Sequence, residues 1–394
     1  MPWGISAFMM LCMPSQLLHI LFGEDVIAEM YRRLEGRFGI VAGKAVEKIR
    51  NPHWKAFVLG CQGPDIFYHS QGRRPVGLEY GTLLHRRGAG DFTAGLLKMG
   101  LPDPPPGEED IRMNRREKEI NALGVYALGY MTHAILDRQT HPYIVYKSDR
   151  PPPTTSRRDR SHAFLERIID KLMYRFLRGA EISSWDQDGL LAEICEDPPP
   201  GLKELLFQAL VHAFPERAGK DEKLSRRVEN TFLDCAFFYR ITSPSNNPVP
   251  VSSERSPAQA VLINSQAGSD PKDFFQKGRV AYLYPENLPA HIDFLNLSKE
   301  PWYYPAGERK MDKRSFPEIY EGAVKAAADS LTVVMGNYLE TGLFPIEEAA
   351  RAIGNGGLSI VDEKGKPCAP VRSDPFPLQE VLDEQTALRG IHSC

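Results

Sequence analysis

Residues that could bind a metal ion or move a proton are concentrated in the first 170 positions: His19, Asp65, His69, His85, His133, Asp137, His141, His162 and Glu166. Within "YMTHAILDRQTHPYIVY" (130–146), His133, Asp137 and His141 follow one another at intervals of four inside an otherwise apolar run. On a helix, side chains at i and i+4 lie one turn apart on the same face. His162 and Glu166 repeat that arrangement in "RSHAFLERIID". Two helices that each turn a histidine and a carboxylate inward are how helical bundles build dinuclear metal sites. Imidazole and carboxylate without thiolate suit zinc in a catalytic rather than a closed structural role. For a single HxxxD pair the competing reading, a hydrogen-bonded polar cluster that only fixes the core, is the better one. Two pairs, joined by His19 on the first helix and Asp65 in a Gly-Pro-Asp turn, weigh toward metal. Burying so many polar groups without compensation would cost on the order of several kcal/mol.

The elements that must position these groups read as helices almost throughout. Helical spacing covers 17–50, with Ile20, Ile27, Met30 and Leu34 on one face and a glycine stop. Residues 54–70 form a helix that breaks between Gly60 and Gly63 and restarts after Pro64, because proline suits a first helical turn. A turn and a helix follow at 81–100. The most apolar helix spans 115–141 and is expected to end there, since Pro142 disfavours helical geometry at His141. Ser161 or Asp159 is a suitable N-cap for the next helix, and further helical patterns cover 201–214, 222–242 and 317–341.

Between these helices lie the Pro-rich loops 101–110 and 150–160, and a Ser-, Pro- and Asn-rich stretch at 243–275. The end, 346–394, reads as a less structured tail with a short hairpin around "VDEKGKP". The expected organisation is a short N-terminal extension (1–12), one helical domain (13–345) and that tail. The fold class is mostly α, a multi-helix bundle enclosing a multinuclear zinc site.

A 42% hydrophobic, 25% charged composition is that of a globular protein, and a net charge of −3 gives no support to a nucleic-acid-binding surface. The six cysteines lie far apart with no CxxC pair, which excludes a zinc finger or a small disulfide scaffold and fits free thiols in a reducing compartment. No lysine or arginine precedes the apolar N-terminal stretch and no segment approaches the length of a membrane span, so a cytoplasmic location is the expectation.

Taken together, "LLHILFGEDV", "GCQGPDIFYHS", "LLHRR", "YMTHAILDRQTHPY" and "RSHAFLERIID" resemble the zinc-dependent phospholipase C family of bacteria, whose fold is shared by fungal single-strand nucleases. The likeness covers roughly 13–180, and "HIDFLNLSKEPWYYP" (291–305) also looks like a segment recurring in bacterial members. The resemblance implies that His85, His133 and Asp137 hold one zinc, and that His141, His162 and Glu166 hold its partner. Asp137 would also bridge to a third zinc, ligated by His19, and Asp65 would be the general base near a bridging water.

His69 has no counterpart; one turn from Asp65, it either orients that carboxylate or faces solvent. The chain departs from the secreted members in beginning Met1-Pro2-Trp3, where they present a mature N-terminal tryptophan to the third zinc. The interval from Asp137 to His141 is also shorter. Two zincs are therefore expected and a third is left open.

The implied activity is hydrolysis of a glycerophospholipid, at a membrane surface or dispersed, to diacylglycerol and a phosphorylated head group. Phe67, Tyr68, Tyr126, Tyr130 and Tyr143 could line a head-group pocket, although core packing is the better account of each. A nuclease or phosphatase on the same fold would use Arg86-Arg87, Arg157-Arg158 and Arg226-Arg227 to follow phosphates. A non-catalytic protein stabilised by zinc is the remaining alternative, and an intact Asp65 argues against it.

Overall fold

Nearly every side chain from Gly124 to Ser148 is buried, and the molecule is arranged around that one helix. The computed structural model describes residues 15–100, 120–149, 160–185, 187, 189–244, 279–307 and 310–389. Among them the helices, in chain order, are α1 (Gln16–Phe38), α2 (Ile40–Arg50), α3 (Trp54–Cys61), α4 (Ile66–His69), α5 (Leu78–Arg86), α6 (Ala89–Gly100) and α7 (Ala122–Ser148). They continue with α8 (Ser161–Arg178), α9 (Leu190–Glu196), α10 (Leu202–Ala213), α11 (Leu224–Thr242), α12 (Phe316–Thr341), α13 (Ile346–Ile353) and α14 (Leu378–Leu388). The strands described are β1 (Trp302–Tyr303) and β2 (Met311–Asp312), paired antiparallel. The expected mostly α bundle is what the chain forms.

Local signals place several of the helix ends. Asn121 caps α7, its side-chain oxygen accepting from Gly124 N at 2.8 Å. Ser315 and Glu318 close a capping box at the start of α12. The break predicted between Gly60 and Pro64 is a 3-10 turn, Gly63–Asp65, between α3 and α4. The N-cap position of α8 is Arg160, whose side chain makes no cap hydrogen bond, while Ser161 is the first helical residue and Asp159 lies outside the described residues. Instead of a turn and a helix, 81–100 belongs to two helices, α5 and α6, that meet at Arg87-Gly88.

The expected stop at His141 is a correction: α7 runs through Pro142 to Ser148. Proline removes one backbone donor and disfavours the helical conformation before it. Here Tyr143, Ile144, Val145 and Tyr146 are all buried, and Tyr143 and Tyr146 pack against Trp302, so apolar burial beyond the proline outweighs the local penalty.

α3 crosses α7 with almost no side chain between them. A Cβ on Gly60 would sit 2.2 Å from Tyr126 O, and one on Gly129 would sit 2.4 Å from Phe57 O. These two glycines therefore set the depth at which α3 delivers the Gly63–Asp65 turn to α7. On the outer side, α1, α6, α8 and α12 pack around α7, and α13 lies on α6.

Residues 346–389 contain α13 and α14, and the expected hairpin is a single antiparallel bridge, Val361–Pro367. The Arg138 guanidinium, on α7, donates to the carbonyls of Ile353, Gly354, Gly356 and Gly357, and Leu358 N donates to His85 O at 2.8 Å. The stretch 291–305 lies against α7, where Tyr143 OH donates to Phe294 O at 2.9 Å. The loop stretches 101–110 and 150–159, like residues 245–275 and 1–14, lie outside the described residues.

No described helix is long and apolar enough to cross a membrane. Cys61, Cys195, Cys235 and Cys368 are free; Cys12 and Cys394 lie outside the described residues.

Replacing Gly129 by leucine should separate α3 from α7 and destabilise the fold by about 1–3 kcal/mol or more. Urea unfolding checks this, and an unchanged midpoint would contradict the close crossing.

Candidate metal centre

Four helices, α1, α5, α7 and α8, and one turn bring the sequence-predicted residues together. Three groups place their ligand atoms within 4.8 Å of one another: His19–His133–Asp137, Asp65–His85–His133 and His141–His162–Glu166. Every member is buried. α7 contributes His133, Asp137 and His141, as the four-residue spacing requires, and α8 contributes His162 and Glu166.

Asp137 joins the groups. Its Oδ2 lies 3.1 Å from His133 Nε2 and 3.5 Å from His85 Nε2. Its Oδ1 lies 3.4 Å from His19 Nε2 and 3.6 Å from His141 Nδ1. Asp65 reaches the same cluster from the 3-10 turn, with Oδ1 2.9 Å from His85 Nε2 and Oδ2 3.6 Å from His133 Nε2. At these distances Asp65 stands among the ligand atoms themselves, closer than a base acting only through water requires. In the other group Glu166 Oε1 lies 3.5 Å from His141 Nε2 and 3.4 Å from His162 Nε2.

The far side of each ring explains why the near side is directed inward. His85 Nδ1 is 2.8 Å from Gly81 O, His133 Nδ1 3.1 Å from Cys61 O, and His141 Nδ1 3.1 Å from Asp137 O. A carbonyl can only accept, so each of these nitrogens carries the proton and each neutral ring turns the Nε2 lone pair to the interior. His162 Nδ1 is held by Asp149 Oδ1 at 3.0 Å and by Ser148 Oγ at 3.3 Å. Histidines that ligate metals are held in this way.

Lone pairs facing carboxylates repel unless a cation or a proton lies between them. Consistent with that, His133 Nε2, Asp65 Oδ2, Asp137 Oδ2 and Glu166 Oε2 are buried without a hydrogen-bond partner; the 3.1 Å approach of His133 to Asp137 is close but not aligned as a hydrogen bond. The donor set and these orphaned atoms fit divalent zinc. His19 is held less firmly: its ring stacks on His133 at 4.2 Å, and its Nδ1 has no partner.

Without a metal ion, protons fill the same role. Burial opposes a charge on His85, but Asp65 and Asp137 outweigh it and push the imidazole up to about 10. His133 is raised too, against its burial, by Asp137 and Asp65. Burial would raise the carboxylates, yet His133 and His141 hold Asp137 well below the usual range, and His162 and His141 lower Glu166.

The other sequence candidates resolve as follows. His69 neither orients Asp65 nor faces solvent. It is buried, stacked on Phe238 at 3.9 Å, and both ring nitrogens lack a hydrogen-bond partner. Burial first, and the nearby Arg167 charge second, push its imidazole well below the ordinary value. Phe67, Tyr68, Tyr126, Tyr130 and Tyr143 are all buried; Tyr68 lies against His85 at 4.7 Å. Arg226 pairs with Glu229 and Arg227 with Asp221, while Arg157 and Arg158 lie outside the described residues.

Sequence reasoning missed Ser148 and Asp149 as the support of His162. The only hint was a carboxylate just past the last apolar residues of α7.

An α-helical bundle whose interior carries sets of imidazoles and carboxylates defines a class of protein: one with buried sites that could hold several divalent ions. Residues 18–199 match the family model described as zinc dependent phospholipase C, a range that contains every ligand candidate from His19 to Glu166. By that match this region of the chain is similar to the zinc-dependent phospholipase C family. No curated protein and no solved structure matches the chain.

The metal-free chain should lose stability as pH rises from about 6.5, the unfolded value of histidine, through the raised pKa of His85 near 10. A group whose pKa is raised on folding stabilises fully below its unfolded value and ceases to do so above its folded one. Melting temperatures of chelator-treated protein between pH 6 and 10 should fall, and fall less steeply in His85→Gln. Equal slopes in both proteins would contradict the Asp65–His85–Asp137 arrangement. Asp149→Asn should lower zinc affinity about 10–100-fold, measurable by chelator competition.

Proposed function

We propose that the chain is a zinc-dependent phosphodiester hydrolase of the phospholipase C type, cleaving a glycerophospholipid to diacylglycerol and a phosphorylated head group. The observation that carries this is the inward turn of His85, His133, His141 and His162 Nε2 onto Asp65, Asp137 and Glu166, with every opposite ring nitrogen held. His85, His133, Asp137 and Asp65 would hold one zinc, and His141, His162 and Glu166 a second. A third would rest on His19 and Asp137 Oδ1. Bound zinc supplies charge for the phosphoryl oxygens and lowers the pKa of a nearby water toward neutrality.

The chain's own residues do the rest. Asp137 holds the groups at a fixed separation, because its two oxygens face different histidines. Asp65 Oδ2, left without a hydrogen-bond partner, takes the proton of the attacking water and orients it for in-line attack on phosphorus. The backbone carbonyls behind the histidines keep Nε2 directed inward, so little reorganisation accompanies the reaction. Burial of the cluster excludes bulk water and strengthens each of these interactions.

Zinc per chain after exhaustive dialysis should be two or three, and should fall in His133→Ala/Glu166→Ala. Diacylglycerol release should exceed cleavage of single-stranded DNA. Asp65→Asn keeps an oxygen in place and should retain most of its zinc while losing about 10²–10⁴-fold in turnover, the range for a general base. Cleavage of DNA but not lipid would move the substrate to nucleic acid. Absence of zinc in the folded wild type would remove the reading.

A further inference from the structure

Below the candidate metal centre, two turns past His162 and one past Glu166, the same face of α8 carries a second acidic side chain. Asp170 is completely buried, and its partners come from two other parts of the chain. Oδ1 accepts from Ser15 Oγ and from Leu18 N at 2.8 Å, and Oδ2 lies 3.3 Å from Leu17 N. Tyr284 OH donates to Oδ2 at 3.2 Å, and Arg167 Nη1, itself 2.9 Å from that hydroxyl, lies 3.6 Å from Oδ2. Ser15 makes no side-chain cap to its own helix. Two of the free amide donors at the start of α1, those of Leu17 and Leu18, are thus satisfied from α8, by a carboxylate placed where the helix dipole favours negative charge.

His19 stands one turn further along α1, and its Nε2 faces Asp137 Oδ1 at 3.4 Å. Unlike the other ligand candidates, His19 has no partner behind its ring, since Nδ1 is buried without one. Its position is therefore set by where the first turn of α1 lies, and that turn is fastened to the helix carrying His162 and Glu166.

We propose, on the basis of the metal-binding reading above, that Asp170 is a positioning residue. By capping α1 across the helix interface it holds His19 at the distance from Asp137 that a shared metal ion requires. Asp170 touches no ligand atom and acts only through the first turn of α1.

The test compares zinc affinity, by chelator competition, in wild type, Asp170→Ala, Asp170→Asn, His19→Ala and His19→Ala/Asp170→Ala, with far-UV circular dichroism as the folding check. Asp170→Ala should weaken the most labile zinc on the order of 10-fold. Asp170→Asn, which keeps an acceptor for Leu18 N, should restore most of that loss. In the His19→Ala background the Asp170 change should add almost nothing, because the two act on one interaction.

Wild-type affinity in Asp170→Ala, or an equal further loss in the His19→Ala background, would overturn the proposal. Ser15→Ala removes a single bond of the same cap and serves if Asp170→Ala does not fold; it should weaken the same zinc by a smaller factor, and no change would count against the idea. A wild type that binds no zinc would overturn the proposed function instead. The cap itself is then judged by amide hydrogen exchange at Leu17 and Leu18, where protection lost in Asp170→Ala (or partly lost in Ser15→Ala, should the former not fold) and largely kept in Asp170→Asn sustains the clamp, and unchanged protection overturns it.

Discussion

Carboxylates and imidazole lone pairs cannot share a dry interior without positive charge between them. In this chain Asp65, Asp137 and Glu166 are each almost fully buried, and each lies within 3.6 Å of at least one imidazole nitrogen. Water cannot screen them and neighbouring apolar side chains cannot satisfy them. A cation resolves the conflict for all three acids together, whereas protons do so only by charging histidines that burial would keep neutral. The fold can be read as the set of backbone arrangements that hold this conflict in place.

α7 supplies three of the eight ligand candidates and the length over which the rest assembles. Gly60 and Gly129 let α3 approach it closely enough for the turn carrying Asp65 to reach His85 and His133. Gly63, in that turn, has φ of +54°, and a Cβ there would fall 2.3 Å from the His133 ring, so both the turn's backbone and the ring's position depend on its missing side chain. From the opposite side, Arg138 and Leu358 tie the 353–358 turn to α7 and to the His85 carbonyl. The matched family region ends at residue 199, yet segments well beyond it hold its ligand candidates.

A division of labour among the acids follows from their surroundings. Asp137 has both oxygens committed to histidines, which suits a bridge. Asp65 reaches His85 and His133 from the 3-10 turn and keeps Oδ2 without a hydrogen-bond partner, which is compatible with the proton transfer proposed for it. Asp149 supports the His162 imidazole from behind, and Asp170, which touches no ligand candidate, fastens a helix end. Residues of one chemical type thus stand in different surroundings according to depth and partner, and the roles proposed for them differ accordingly.

The periodic features of this protein were legible in its sequence. His133, Asp137 and His141, and likewise His162 and Glu166, had to share helical faces because spacing and pitch determine which side chains align, and an apolar run of that length had to be buried. The Gly-Pro-Asp turn was readable because glycine and proline act locally. The helix boundary at Pro142 was not, since apolar contacts made by residues far away in sequence outweighed a local penalty. His69 was misplaced because its partners, Phe238 and Tyr239, lie some 170 positions on. Asp65 within reach of His85 and His133, Asp149 behind His162, and Asp170 at the start of α1 were decided by tertiary structure alone. Each depends on the approach of elements distant along the chain, and no local spacing encodes that approach.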